Sequence, residues 1–302
     1  MNENQKQWID GVLTEVFEAV VASQKLREAL IFKGARILNI HLGTNRQSLD
    51  IDSNVAPGLQ SAFPDIESQA AFLEEYLPLA LRRHFERQDP VRFGLVRVRV
   101  QKRPPAGHPR GWNALWVRIN VQDNHYANQR ALPAIEIDVA APEILGPKAV
   151  QTVSLFGFPA QVYSLERIAG EKMRAYLTSL PSYRKKRGGG SREFRVKDIH
   201  DIARILLARP PGEAQFWATA AGEFQLACES RLVDCHGLDT FMEDWALACE
   251  RYEADDSLRS VSLMDAEKAL MIVVGLFGQQ NIFPLIFPVM DVPARSKDMG
   301  EG

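Results

Sequence analysis

The hydrophobic pattern of this chain changes period partway along, and that change restricts the fold more than any single residue does. Within Lys6 to Ala22, the residues Ile9, Val12, Leu13, Val16, Phe17 and Val20 recur at helical spacing. Ile66 to Arg87 repeats the pattern with Phe72, Leu73, Tyr76, Leu77 and Leu81 on one stripe, and Arg36 to Leu42 reads as a brief helix. The period then drops to two. Phe93 to Val100 sets Val96, Val98 and Val100 against Arg97 and Arg99, and Trp112 to Val121 alternates again beyond a Pro/Gly turn, which together predict an antiparallel hairpin. Ala134 to Ala140 (AIEIDVA) is a further strand, and Val150 to Val162 supplies one or two more. From Ser164 the helical period returns, to about Leu180, then over Val196 to Ala208, Gly212 to Ser230, Leu238 to Ala254 and Met264 to Gln279. The expectation is an α+β fold: a mixed sheet with flanking helices over residues 1–163, followed by an all-helical part over 164–302.

Composition narrows the classes of function. A net charge of −2 over 302 residues excludes a globally basic nucleic-acid binder, while leaving room for a local basic patch. Cys228, Cys235 and Cys249 form no CxxC pair, and their odd, sparse number points to a reducing compartment. The start, MNENQKQWID, has neither a basic head nor an apolar stretch, and the most apolar run, Ala269 to Phe277, is too short to span a bilayer. A cytoplasmic protein with no membrane partner is expected. No HExxH, GxSxG, GxxxxGK[ST] or GxGxxG motif is present, so the zincin, serine-hydrolase, P-loop and dinucleotide-binding readings lack support.

The chemistry concentrates in acidic residues on strand-like segments. Gln47 to Ser53 alternates Leu49 and Ile51 against Ser48, Asp50 and Asp52. On a strand, Asp50 and Asp52 share a face roughly 6.5–7 Å apart, and paired carboxylates repel unless a cation lies between them. An isolated DxD is also the pattern of an ordinary exposed strand face. AIEIDVA adds a second acid face with Glu136 and Asp138, which favours a magnesium site that recruits substrate phosphates; two ions suit in-line displacement at phosphorus. Lys33-Gly34-Ala35 precedes a short helix whose N-terminal amides can receive a triphosphate.

Three other features read two ways. Lys172 in EKMRA can neutralise phosphate charge, or pair with a neighbouring acid. Asp198 and Asp201 in KDIHDI can orient that lysine or a sugar hydroxyl, or cap a helix start. The segment Tyr183 to Arg195 brings Arg184, Lys185, Lys186, Arg187, Arg192 and Arg195 together with Tyr183 and Phe194, fit either for an RNA backbone or for a solvated loop.

LIFKGARILNIHLGTNRQSLDID, VYSLERIAGEKMRAYL and RVKDIHDIARIL, in this order from about Leu30 to Leu206, resemble the motifs of the AbiEii/AbiGii-type nucleotidyltransferase toxins. The resemblance implies a nucleotidyltransferase-like fold. Asp50 and Asp52 would be the metal pair, with Arg46 and Ser48 in the same motif and Asp138 or Glu136 as the third strand acid. Lys172 would face phosphate and Asp198 would be the second catalytic acid. It also implies a nucleoside triphosphate substrate, an antitoxin partner and, as in some relatives, transfer to the 3′ end of tRNA. Ala35 and Arg36 stand where the family has glycine and then serine or threonine, and Lys197 replaces an arginine. Arg36 becomes a candidate phosphate clamp in place of the lost hydroxyl. Transfer to a small molecule or protein, and a non-catalytic nucleotide- or partner-binding protein, are the competing expectations.

Overall fold

The computed structural model describes residues 3–44, 48–108, 110–126, 128, 132–187 and 194–288. The chain opens with α1 (Glu3–Ala22) and α2 (Gln24–Ala29), then enters β1 (Leu30–Lys33) and α3 (Gly34–Leu42). β2 (Ile51–Val55), α4 (Pro57–Ala62) and α5 (Ile66–Phe85) follow. The hairpin of β3 (Phe93–Arg103) and β4 (Ala114–Asp123) leads to β5 (Ile135–Ala140) and a second hairpin, β6 (Val150–Leu155) and β7 (Phe158–Tyr163). Among the described residues these strands form one sheet in the order β3-β4-β5-β2-β1-β7-β6. β2 runs parallel to β5 and β1 parallel to β7, while the other neighbours are antiparallel, so the sheet is mixed.

The sheet has one apolar and one polar face over its central strands. Leu115, Val117, Ile119 and Val121 of β4 and Ile135, Ile137 and Val139 of β5 are buried. They lie beneath α1 and α5, whose predicted stripes are buried except for the half-buried Tyr76. Each such side chain taken from water contributes about 1.5–3 kcal/mol. α5 is started by Asp65, which accepts a hydrogen bond from the Ser68 amide at 2.7 Å. The alternate residues Trp116, Arg118, Glu136 and Asp138 fall on the other face.

The helical part begins at once. Ser164 accepts from the Arg167 amide and caps α6 (Leu165–Leu177), which is followed by α7 (Pro181–Arg187), α8 (Val196–Ala208) and α9 (Ala214–Arg231). α10 (Leu238–Phe241), α11 (Trp245–Glu253), a 3-10 turn at Asp256–Leu258 and α12 (Leu263–Gly278) complete it. α6 packs between α8 and α9. A Cβ on Gly170 would lie 2.5 Å from the Phe224 amide nitrogen, so this glycine sets the closeness of α6 to α9. One buried cluster runs from α1 through the sheet to α12. No helix among the described residues is long and apolar enough to cross a membrane.

Several elements differ from the sequence expectation, β2 among them, since it spans Ile51–Val55. β1 is a central strand whose four residues are all buried, so it carries no alternation to read. α4 is too short to show a period. The segment read as a basic loop begins as α7, started by Pro181 and by Glu243 accepting from the Ser182 amide at 2.9 Å. The helix expected over Leu238 to Ala254 is two helices, because Asp244 sits in the left-handed region at φ 51°.

Asp123 at the end of β4 ties the opening helix to the sheet. It accepts from Trp8 Nε1 at 2.9 Å, from Arg92 Nη2 at 2.9 Å and from the His125 amide at 2.9 Å. Burial opposes its charge, but these donors outweigh burial and hold its pKa below the ordinary carboxylate value. Its contribution to stability is complete above the unfolded-state pKa of about 3.9 and is lost as pH falls through the lower folded-state value. Asp123→Asn is therefore expected to cost roughly 1–3 kcal/mol at neutral pH, with the gap to wild type closing below about pH 4. Urea unfolding across that pH range checks this, and a gap that stays constant contradicts it.

Candidate active site

The site is assembled by strand register. Lys33 pairs with Asp52 across β1 and β2, and Asp52 pairs with Asp138 across β2 and β5, so the three charged side chains share the polar face on neighbouring strands. Adjacent strands lie about 4.8 Å apart, the right scale for carboxylates to converge. Asp50 precedes β2 rather than lying within it. One oxygen each of Asp50, Asp52 and Asp138 lies within 4.8 Å of the others. Ser48 Oγ donates to Asp50 Oδ1 at 3.0 Å and orients it.

The turn between β1 and α3 closes over this group. Gly34 has φ 75°, and a Cβ there would sit 2.0 Å from Asp52 Oδ2. The carboxylate thus occupies the space that any other residue would fill. Lys33 gives α3 no side-chain cap, which leaves first-turn amides for an anion beside the carboxylates.

α6 and α8 form the opposite wall. Lys172 Nζ lies 2.8 Å from Asp198 Oδ1 and 2.8 Å from Asp201 Oδ2, and Arg195 Nε lies 2.6 Å from Asp198 Oδ2. Lys33 pairs with Glu171 at 2.5 Å. Deeper in, Glu143 meets Arg167 at 3.0 Å, Arg174 at 3.2 Å, Arg231 at 3.3 Å and Lys33 at 3.6 Å. Between the walls lies a cleft of about 370 Å³, lined by Lys33, Gly34, Asp52, Asp138, Lys172, Arg174, Arg195, Asp198 and Arg231, with His108 and Trp112 at its rim. The two rim rings stack at 5.0 Å.

The electrostatics of the two walls are opposite. Burial, and then repulsion from Asp50, push the Asp52 carboxyl up to about 7, against the pull of Lys33 and Lys172. Asp138 is also raised, by burial first, with Arg103 pulling it back. Such shifts mark a cluster that would be relieved by a divalent cation, and three converging hard oxygen ligands fit magnesium. On the other wall, burial disfavours the Lys172 ammonium, but Asp198 and Asp201 outweigh it and its pKa is raised. Asp198 is held below the ordinary range, with Arg195 and Lys172 outweighing its burial. Lys172 and Asp198 are therefore both charged at neutral pH.

Not every residue singled out in the sequence faces this cleft. Glu136 shares the Asp138 face but pairs with Arg118 at 3.8 Å and lies outside the carboxylate triad. Ala35 is in the first turn of α3. Arg36 donates to Asp10 at 3.0 Å and to the Ser48 carbonyl at 3.2 Å, and it is not among the cleft-lining residues. Arg46 lies outside the described residues, as does the side chain of Arg187. Lys186 is held by Asp234 at 2.7 Å and by the Phe287 carbonyl at 2.8 Å, Arg184 lies 5.9 Å from the Phe194 ring centre, and Lys185 is exposed. Sequence reasoning missed Glu143, Glu171, Arg174 and Arg231. Glu171 and Arg174 lie in the quoted EKMRA helix, one turn apart, whereas Glu143 in APEILG carries no local signal.

A mixed sheet carrying Asp52 and Asp138 beside a helix N-terminus, faced by a cationic helical wall, is suited to phosphoryl transfer. The sequence model of the nucleotidyl transferase AbiEii toxin family, of type IV toxin–antitoxin systems, matches residues 17–268, and the chain belongs to that family. Membership makes the chain a transferase and implies a nucleotide substrate and an antitoxin partner. A comparison with curated proteins finds no match.

Gly34→Ala tests the closeness of the turn to the triad. The substitution brings about 1–2 kcal/mol of left-handed backbone strain and displaces the Asp52 carboxylate. Binding of a magnesium–nucleotide, read by calorimetry, is expected to weaken by roughly 10–100-fold. Wild-type affinity in a folded Gly34→Ala protein contradicts this geometry.

Proposed function

We propose that this toxin transfers a nucleotide from a nucleoside triphosphate to the 3′-hydroxyl of an RNA, with the 3′ end of tRNA the favoured acceptor, and that it acts in the cytoplasm. The observation that carries the reading is the carboxylate triad set against Gly34 and the α3 N-terminus, opposite Lys172 and Arg195. Asp50, Asp52 and Asp138 would hold magnesium, two ions by the chemistry of the reaction. Bound magnesium neutralises phosphate oxygens and makes a hydroxyl easier to deprotonate.

The protein's own groups do the rest. The first-turn amides of α3 and the Lys33 ammonium receive the triphosphate, whose charge competes with Glu171 for that lysine. Lys172, kept protonated by Asp198 and Asp201, stabilises charge on the transferring phosphoryl group and does not serve as a base. Arg195, held by Asp198, adds a second fixed cation. The acceptor hydroxyl loses its proton to solvent water, its oxygen bonds to the α-phosphorus, and the bond from that phosphorus to the bridging oxygen breaks to release pyrophosphate. Holding the triphosphate and the 3′-hydroxyl in line between two rigid walls is the main work of such a site.

The test is label transfer from each α-labelled triphosphate to deacylated tRNA in the presence of magnesium. Wild type is expected to label the RNA 3′ end, Asp52→Ala to give no label, and Lys172→Met to slow transfer by roughly 100-fold or more. Labelling that survives Asp52→Ala, or label that goes to a protein or small molecule with none on RNA, overturns the reading.

A further inference from the structure

The β3–β4 hairpin has a feature that neither the fold nor the nucleotide cleft accounts for. On β3, Arg97, Arg99, Gln101 and Arg103 take successive positions on the sheet face opposite α5, and Arg118 and Asn120 of β4 stand beside them. Arg97, Arg99, Arg103, Arg118 and Asn120 are all exposed. Arg99 lies directly across from Arg118 in the register. Like charges in facing positions of an antiparallel pair oppose each other, and here Glu136, 3.8 Å from Arg118, offsets part of that repulsion. Trp116 sits between two guanidiniums, 3.6 Å from that of Arg103 and 5.0 Å from that of Arg118, measured to the ring centre.

This strip leads into the active cleft. Trp116 pairs with Asp138 in the register of β4 and β5, and Arg103 lies 3.8 Å from Asp138. It begins at β3, the edge strand of the sheet, so it runs from the rim of the molecule to the carboxylates. From Arg97 to Arg103 it spans about 20 Å. An open sheet face with alternating cations suits the phosphates of a single-stranded nucleic acid. Because the strip ends where an acceptor hydroxyl must arrive, its occupant is the strand that carries that hydroxyl.

We propose that the open face of β3 and β4 is the track on which the acceptor RNA lies, with Arg97 and Arg99 on its phosphates and Arg103, stacked on Trp116, at the end nearest the carboxylates. The proposal rests on the RNA-directed reading above. It assigns the RNA grip to the sheet face, apart from the 184–187 segment in which Lys186 is already bound to Asp234.

The experiment compares full-length wild type, Arg97→Ala/Arg99→Ala and a charge-matched control, Arg82→Ala/Arg83→Ala, whose arginines are exposed on α5 on the far side of the sheet. Affinity for 5′-fluorescent deacylated tRNA is read by anisotropy over a salt series, magnesium–nucleotide affinity by calorimetry, and transfer by KM and kcat. For Arg97→Ala/Arg99→Ala the expected results are an RNA affinity lower by roughly 10-fold or more and a log–log salt slope smaller by about 1.4, for two contacts to a single strand. KM for RNA should rise with kcat little changed, nucleotide affinity should stay at the wild-type value, and the unfolding midpoint should not fall. The control should match wild type in RNA binding. If wild type and the Arg97→Ala/Arg99→Ala protein bind and label RNA alike, the track is overturned while RNA transfer stands. Equal losses in the control, or binding of anionic lipid vesicles in preference to RNA, also overturn it. If wild type labels no RNA at all, the failure lies with the RNA-directed reading itself.

Discussion

Glu143 accepts charge from Lys33, Arg167, Arg174 and Arg231, which arrive from the end of β1, from two turns of α6 and from the end of α9. Burial opposes its ionised form, yet these four cations hold its pKa well below the ordinary range. A second buried carboxylate, Glu223, shares Arg167 and accepts from the Gly146 amide. The sheet and the helical part are joined through these charges at the floor of the cleft. A buried ion network of this kind is weak evidence for net stability, because desolvation offsets much of the attraction. What it does here is geometric: it sets α6 against the ends of β1 and β5, and so fixes the distance between Lys172 and the carboxylate triad.

The two walls that result are matched to one kind of ligand. On the sheet wall, burial first and neighbouring carboxylates second raise Asp52 and Asp138. The helical wall holds cations whose charge is secured by Asp198 and Asp201. On the proposed reading, a magnesium–triphosphate would complement both at once, with metal toward the carboxylates and phosphate toward the lysines and arginines. Arg36, which the sequence suggested for the phosphates, is instead drawn to Asp10 of α1, a contact between residues 26 positions apart.

How much was legible in the sequence depended on whether the signal was local. α5, α6 and α8 could be read because long amphipathic stripes announce themselves within one segment. β1 could not, since a central strand buried on both faces has no alternation, and the break at Asp244 depends on backbone strain that side-chain pattern does not encode. In the site, the acid pattern of Asp50, Asp52 and Asp138 was visible, but their convergence follows from the parallel register of β2 with β5, which no local spacing states. Glu143 was silent because its partners come from three separate elements. The arginines of β3 were visible as one half of an alternation, and only the pairing of Arg99 with Arg118 shows that they oppose each other.

The central claim is that Asp50, Asp52 and Asp138 are one divalent-cation centre serving a triphosphate. Titration of manganese(II), followed by electron paramagnetic resonance with and without a non-hydrolysable triphosphate, addresses it most directly in wild type and Asp138→Asn. Binding in wild type that tightens with nucleotide, and that is weakened by roughly 10–100-fold in Asp138→Asn, is the expected result. Manganese bound equally well by the folded variant would contradict the claim.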